Sequence, residues 1–389
     1  MKKYHILFDL ISTQGSQNGG AEFCLTILQE IIQKYTLESH HLVFLYDSNL
    51  PIVYELASPE YLEKEFKFTC VDLANENSIS KIISTYHIDV FFVGIGQKLE
   101  KYSLKDIHCR TIIVFHDLSN IELNDNRLEY FIYPKSFFIL IRMFLKENNY
   151  FVLSYLNKKK LNPVFQLATN KNIEIFTVSD YSKDSLEYYF PNIKNKISVT
   201  YAPEKLIEHQ HDITNSKLKE IIASRVKYFI ILAADKHHKN AKFTISVFEK
   251  FAELNPHLYL LTVGLDKKEF QNHLILPYLT SSDLSHALEN AFSLIYPSLL
   301  EGFGYPPIEA MKYGKPILCS NVCSMPEILS DAPVYFSPYY KVDLFRGLKK
   351  VVKDYQLLSE KSLIRWSIIQ KKQKESMELI SNSILNITL

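Results

Sequence analysis

The chain lacks most of what would mark an exported, membrane-spanning or nucleic-acid-binding protein. Its five cysteines, Cys24, Cys70, Cys109, Cys319 and Cys323, are odd in number and never spaced C-x-x-C. That excludes a disulfide framework and a zinc knuckle, and leaves buried thiols in a reducing cytosol. The longest unbroken apolar run, YFIILAA at 228–234, falls well short of the roughly 20 residues that cross a bilayer. In the opening MKKYHILFDL, Asp9 interrupts the apolar run before a signal peptide's roughly 7–15 residues are reached, so no export is expected. Charge of one sign is missing too. With 44 Lys plus Arg against 43 Asp plus Glu, a formal charge of +1 gives no broad field for nucleic acid. No Asp-x-Asp pair occurs to bridge a cation to a diphosphate, so no metal is expected.

What is present is enough chain and enough apolar surface for two or three compact units, at about 150 residues each. The 389 residues are 47% hydrophobic, which excludes a disordered or fibrous chain. Runs rich in Ile, Val and Phe recur between amphipathic stretches: HILFDL at 5–10, HLVFLY at 41–46, DVFFVG at 89–94, TIIVFH at 111–116 and IEIFTV at 173–178. Short buried strands alternating with helices predict an α/β class with parallel sheets. In AEFCLTILQEIIQKY the residues Cys24, Ile27, Leu28, Ile31, Ile32 and Tyr35 mark one buried helical face. After a polar stretch around 203–225 the pattern restarts with YFIILAA, NAKFTISVFEKFAEL, LYLLTVG, DLSHALENA and SLIYPS. The chain therefore reads as two doubly wound domains, 1–200 and 201–369, facing each other across a cleft, each binding ligands beyond the carboxyl ends of its strands.

Residues 131–160 differ from the rest, with aromatics, scattered bases and the run Lys158, Lys159, Lys160. The stretch 137–145 suits either a buried helix or peripheral contact with lipid, which flanking lysines would favour.

The stretch PSLLEGFGYPPIEAMKYGKPILCS at 297–320 carries most of the chemistry. Gly302 and Gly304 let a ligand approach the backbone. Pro306 and Pro307 open a helix, which Gly314 and Pro316 close before the next strand. A strand, glycine loop and helix N-terminus in that order favour a phosphate. Glu301 at the strand exit and Glu309, expected in the first helical turn, are placed to accept hydrogen bonds from sugar hydroxyls. The plain structural reading is a tight turn with Glu309 complementing the helix dipole.

EGFGYPPIEAM resembles the E-x7-E signature of the retaining glycosyltransferases of family 4, which have the GT-B fold, and the resemblance runs nearly unbroken from 281 to 340. It implies that Glu309 holds the ribose hydroxyls and Glu301 the donor sugar, while Gly302, Phe303 and Gly304 contact donor sugar or phosphate. Lys239, before the expected helix N-cap Asn240, is the implied diphosphate anchor. Where many relatives carry Gly-Arg, this chain has Ala233, Ala234 and Asp235. Lys236 either replaces that arginine or does not, and Asp235 is expected to point away from phosphate. His116 in VFHDLS matches the family's histidine near donor sugar and acceptor; a loop histidine with satisfied hydrogen bonds is the alternative. Gly19 and Gly20, read as lying before the first helix, match its glycine loop. TVSDYS offers Ser179 or Asp180 as a helix cap. RWSIIQ at 365–370 resembles the start of a final helix, about 370–389, that crosses back to the first domain.

The implied activity is metal-independent transfer of a sugar from a UDP- or GDP-sugar to a saccharide, glycoprotein or lipid-linked acceptor, with no cofactor. The expected setting is bacterial polysaccharide or glycoconjugate assembly in the cytoplasm, at the inner face of the membrane if 131–160 touches lipid. A non-catalytic partner subunit of the same fold is the rival reading.

Overall fold

The apolar runs form strands that are buried on both faces: Ile6, Leu7 and Phe8 in the first strand, and Phe229, Ile230 and Ile231 in the eighth, are at most 1% exposed. Strands so enclosed belong in parallel sheets covered by helices. A computed structural model describes residues 3–16, 18–34, 39–76, 78–101, 107–125, 172–205 and 212–385. Residues 131–160 lie outside the described residues.

The described chain divides into two compact units. The first holds the described residues up to Leu118, those at 172–205 and those from Lys371 onward; the second holds 119–125 and 212–370. The first unit is a seven-stranded sheet of order β3-β2-β1-β4-β5-β6-β7. Its strands are β1 Tyr4–Asp9, β2 His40–Tyr46, β3 Thr69–Asp72, β4 Val90–Val93, β5 Arg110–Phe115, β6 Ile173–Thr177 and β7 Ile197–Val199. The second is a six-stranded sheet of order β10-β9-β8-β11-β12-β13, from β8 Lys227–Ile231, β9 Leu258–Val263, β10 His273–Leu276, β11 Ser293–Tyr296, β12 Ile317–Ser320 and β13 Val334–Phe336. Every pairing is parallel. Both units are thus doubly wound, and the strand order reverses between β1 and β4 in one and between β8 and β11 in the other. At such switch points the loops diverge and leave room for a ligand.

Aromatic residues fill the core of the second unit. Phe229 meets Phe248 at 5.4 Å and Phe251 at 6.3 Å between ring centroids, both edge-on. Truncating any of these to Ala would remove about 3–5 kcal/mol. In the first unit the helix Gly19–Lys34 buries Cys24, Ile27, Leu28 and Ile31, but Ile32 is half-buried. The helix Asp180–Tyr189 is capped by Ser179, whose side chain accepts from the Ser182 N–H at 3.1 Å.

Two boundaries differ from expectation. The final helix runs from Tyr355 to Leu385, so RWSIIQ lies inside it rather than at its start. There the Arg365 guanidinium donates to the carbonyls of Glu327 and Ile328, which ties the middle of the helix to the second unit. Its end belongs to the first unit. Arg110 donates from Nη1 to the Ser383 carbonyl at 2.8 Å and from Nε to Glu174 Oε1 at 2.7 Å, and His40 Nε2 bonds the Leu385 carbonyl at 2.9 Å. A cation on the last carbonyls suits the negative end of a helix.

The first helix also begins earlier than expected. Gly19 and Gly20 are its first two residues, not part of a preceding loop. Asn18 explains the change: its Oδ1 accepts from the Ala21 N–H at 3.0 Å and its carbonyl from Glu22 N–H, so the helix is capped before the glycines.

Candidate functional site

At the switch point of the second unit, two loops are held together by backbone. The turn His237–Lys239 follows β8, and the His238 carbonyl accepts from the Leu299 N–H at 2.8 Å in the loop after β11. That bond brings Lys239 and Glu301 within reach. Lys239 Nζ donates to Glu301 Oε1 at 2.5 Å and to the Tyr296 hydroxyl at 3.1 Å, and lies 4.8 Å from the centre of the Tyr296 ring. Burial alone would raise the Glu301 carboxyl, but the Lys239 charge and hydrogen bond, with help from Tyr296, outweigh it and hold the group below the usual carboxylate range. Burial and the neighbouring Glu301 carboxylate push the Tyr296 phenol well up, so it stays protonated. Ser324 Oγ donates to the Glu301 carbonyl at 2.9 Å and fixes the loop backbone.

The glycine loop is tight for a stated reason. Gly304 has φ +85, and a Cβ there would stand 2.5 Å from Met325 Cε. Phe303 is 5% exposed and meets the Tyr305 ring edge-on at 5.6 Å. The helix that follows is Tyr305–Lys312, so Pro306 and Pro307 are its second and third residues and Glu309 its fifth. Glu309 therefore belongs to the second turn, not the first. The two prolines remove two of the N–H groups that a helix start normally presents. What remains at this helix start is the dipole and the backbone of the glycine loop.

Two further expectations need correction or detail. Asn240 occupies the cap position of helix Ala241–Leu254 but makes no side-chain cap; in a left-handed conformation at φ +50, it turns its Nδ2 to the Pro338 carbonyl at 3.2 Å. Lys236 is exposed and its Nζ stands 3.6 Å from Asp235 Oδ2. Asp235 Oδ1 also accepts from the Tyr278 hydroxyl, above Gly264 at φ +96, where a Cβ would come within 3.0 Å of it. The Asp235 charge is thus engaged by its neighbours.

The remaining sequence candidates sit in the first unit. His116 follows β5, and its Nε2 donates to the Gly94 carbonyl at 3.0 Å, leaving Nδ1 as the acceptor of a neutral ring. Burial lowers its pKa. Phe23 meets the His116 ring edge-on at 4.8 Å, and a Cβ on Gly20 would come within 2.8 Å of Ile95 Cδ1. His116 and Gly20 therefore gather around Gly94 and Ile95 at the β1/β4 switch point.

Sequence reasoning missed the polar cluster beside them. Asp9, fully buried at the end of β1, accepts from Ser12 Oγ, which accepts from the Ile95 N–H at 2.9 Å. Lys98 Nζ donates to the carbonyls of Ile11, Ser12 and Gln14 at 3.3, 3.0 and 2.7 Å. It also missed Tyr296, which reads as one more apolar strand residue in SLIYPS. The only available signal was its place at the strand exit, five residues before Glu301.

Comparison with known proteins agrees with this fold. Residues 212–365 match the model of the glycosyl transferases group 1. Among solved structures, the chain is similar to a sucrose-phosphate synthase from Thermosynechococcus elongatus, with TM-score 0.67 and 11% identity over 100% of both chains. It is also similar to WaaG, a glycosyltransferase of lipopolysaccharide biosynthesis, with TM-score 0.61, 14% identity and 98% and 99% coverage. The fold is the GT-B fold of these glycosyltransferases. More particularly, the chain is similar to the serotype-specific mannosyltransferase WbdA of Escherichia coli, 24% identical over 73% of this chain and 34% of that protein. It is 26% identical to the O-antigen chain mannosyltransferase RfbU of Salmonella typhimurium over 49% of this chain and 54% of that one. The alignments thus span a third to about half the length of these relatives. Among the described residues no helix is long and apolar enough to cross a membrane.

Proposed function

We propose that the chain is a retaining family 4 glycosyltransferase that moves a sugar from a UDP- or GDP-sugar to an acceptor hydroxyl in polysaccharide assembly. Mannose is the first candidate sugar, because WbdA and RfbU are named as mannosyltransferases. The observation that carries the reading is the Lys239–Glu301 pair at the switch point of the second sheet. The barrier to transfer is charge separation, as an oxocarbenium-like sugar forms while the diphosphate leaves. A preorganised cation at the leaving oxygens is the largest available contribution, and Lys239 supplies it. Glu301 would meet the donor sugar and Glu309 the ribose, with the Gly302–Gly304 backbone on the phosphates. Retention follows from attack on the face the diphosphate leaves, with a phosphate oxygen taking the acceptor proton. Neutral His116 would hold a sugar hydroxyl through Nδ1. The acceptor is a saccharide, a glycoprotein or a lipid-linked sugar, and neither cofactor nor metal takes part.

A hydrolysis screen across UDP- and GDP-sugars tests this, with the product anomer read by NMR and EDTA included. One donor should be cleaved with its anomeric configuration kept and with EDTA inert. Glu301→Gln and Lys239→Ala should each lower the rate per folded molecule by about 10²–10³, with the folded fraction read from thermal unfolding. Wild-type rates in both variants would overturn the site.

A further inference from the structure

We propose that Glu301 is an internal counter-anion for Lys239, which a nucleoside diphosphate must displace to bind and which returns to expel it. The proposal deepens the nucleotide-sugar reading of this site and rests on it. The Lys239 ammonium has three N–H donors. One goes to Glu301 Oε1 at 2.5 Å and one to the Tyr296 hydroxyl at 3.1 Å. Lys239 and Glu301 keep only 14% and 13% of their side-chain surface exposed, so each would bear a large desolvation penalty without the other. A phosphate needs the same ammonium that the carboxylate occupies.

The two partners of Lys239 differ in freedom. Tyr296 is 2% exposed and ends β11, so its ring stays in place under the ammonium. Glu301 lies in the following loop. Its carbonyl is held by Ser324 Oγ, so the carboxylate can leave by side-chain rotation while the backbone stays. Once displaced, the carboxylate remains ionised near the phosphates and repels them. It therefore weakens diphosphate binding while it serves the donor sugar. Its removal should change these two quantities in opposite directions, with transfer falling and diphosphate affinity rising.

Calorimetric titration of GDP and UDP into the wild type, Glu301→Gln and Lys239→Met tests the exchange. The wild type should bind one of the two nucleotides. Glu301→Gln should bind the same nucleotide about tenfold more tightly, near 1.4 kcal/mol, and Lys239→Met should lose most of the affinity. The uncharged nucleoside, used as a competitor, should not distinguish wild type from Glu301→Gln. Unchanged or weaker binding by Glu301→Gln overturns the counter-anion while the nucleotide reading stands. A wild type that binds neither nucleotide overturns both.

Discussion

Each unit places a lysine and a carboxylate at its topological switch point, and the two pairs are built in opposite ways. In the first, Lys98 spends its three donors on the backbone carbonyls of Ile11, Ser12 and Gln14. Asp9 is left with hydrogen bonds from Ser12 and the Ile11 backbone, and burial pushes its carboxyl up to about 6, with the Ser12 hydrogen bonds and the Lys98 charge only partly opposing. In the second, Lys239 gives its donors to Glu301 and Tyr296, and the Glu301 carboxyl is held down. A lysine saturated by carbonyls fixes a loop and has nothing left for a phosphate. One paired with a rotatable carboxylate can change partners. The same topology therefore carries a lysine fixed by backbone in one sheet and a lysine paired with a side-chain carboxylate in the other.

The largest effect that could break this contrast comes from Lys98→Met. Loss of three charged hydrogen bonds should lower stability by about 3 kcal/mol, read by denaturant unfolding, with GDP and UDP affinity unchanged in the folded fraction. Lost nucleotide binding in a fully folded variant would erase the distinction between the two lysines. Next is Asp9→Asn, which sharpens the contrast through pH. Because the folded pKa of Asp9 stands above its ordinary 3.8, its contribution to stability is full below about pH 4 and lost as pH rises through about 6. The melting temperature of Asp9→Asn relative to wild type should therefore climb between pH 4 and pH 7, and a flat difference would remove the buried-acid account. Smallest is Arg110→Ala, which takes a cation from the last carbonyls of the long helix. Amide exchange over 371–385 should quicken by about tenfold, for roughly 1–2 kcal/mol, while the second unit keeps its protection.

Legibility followed burial. The nine strands read from apolar runs or from the Gly-Pro break before ILCS are interior to their sheets. The four not read, β3, β7, β10 and β13, are the edges of both sheets. Edge strands are short and half-exposed, as in TCVD and ISV, and leave no continuous apolar signal. In the second unit, Glu301 and Glu309 were visible because a spaced motif names them, and Lys239 because it precedes the expected helix start at Asn240. Tyr296 was not, since a tyrosine ending a strand carries no pattern until a lysine is seen over its ring. The helix starts failed differently. Asn18 capped the first helix ahead of Gly19, and the Pro338 carbonyl drew the Asn240 side chain away from its helix. Capping is a competition among acceptors, and those across the fold are not readable locally.

Prolines bracket the loop that carries Glu301. Pro297 directly follows β11, and Pro306 and Pro307 lie just inside the next helix. Three fixed φ angles narrow the conformations of this segment even in the unfolded chain. The loop therefore has less disorder to lose on ordering, and in the proposed exchange the binding energy of a nucleotide would go into moving one side chain.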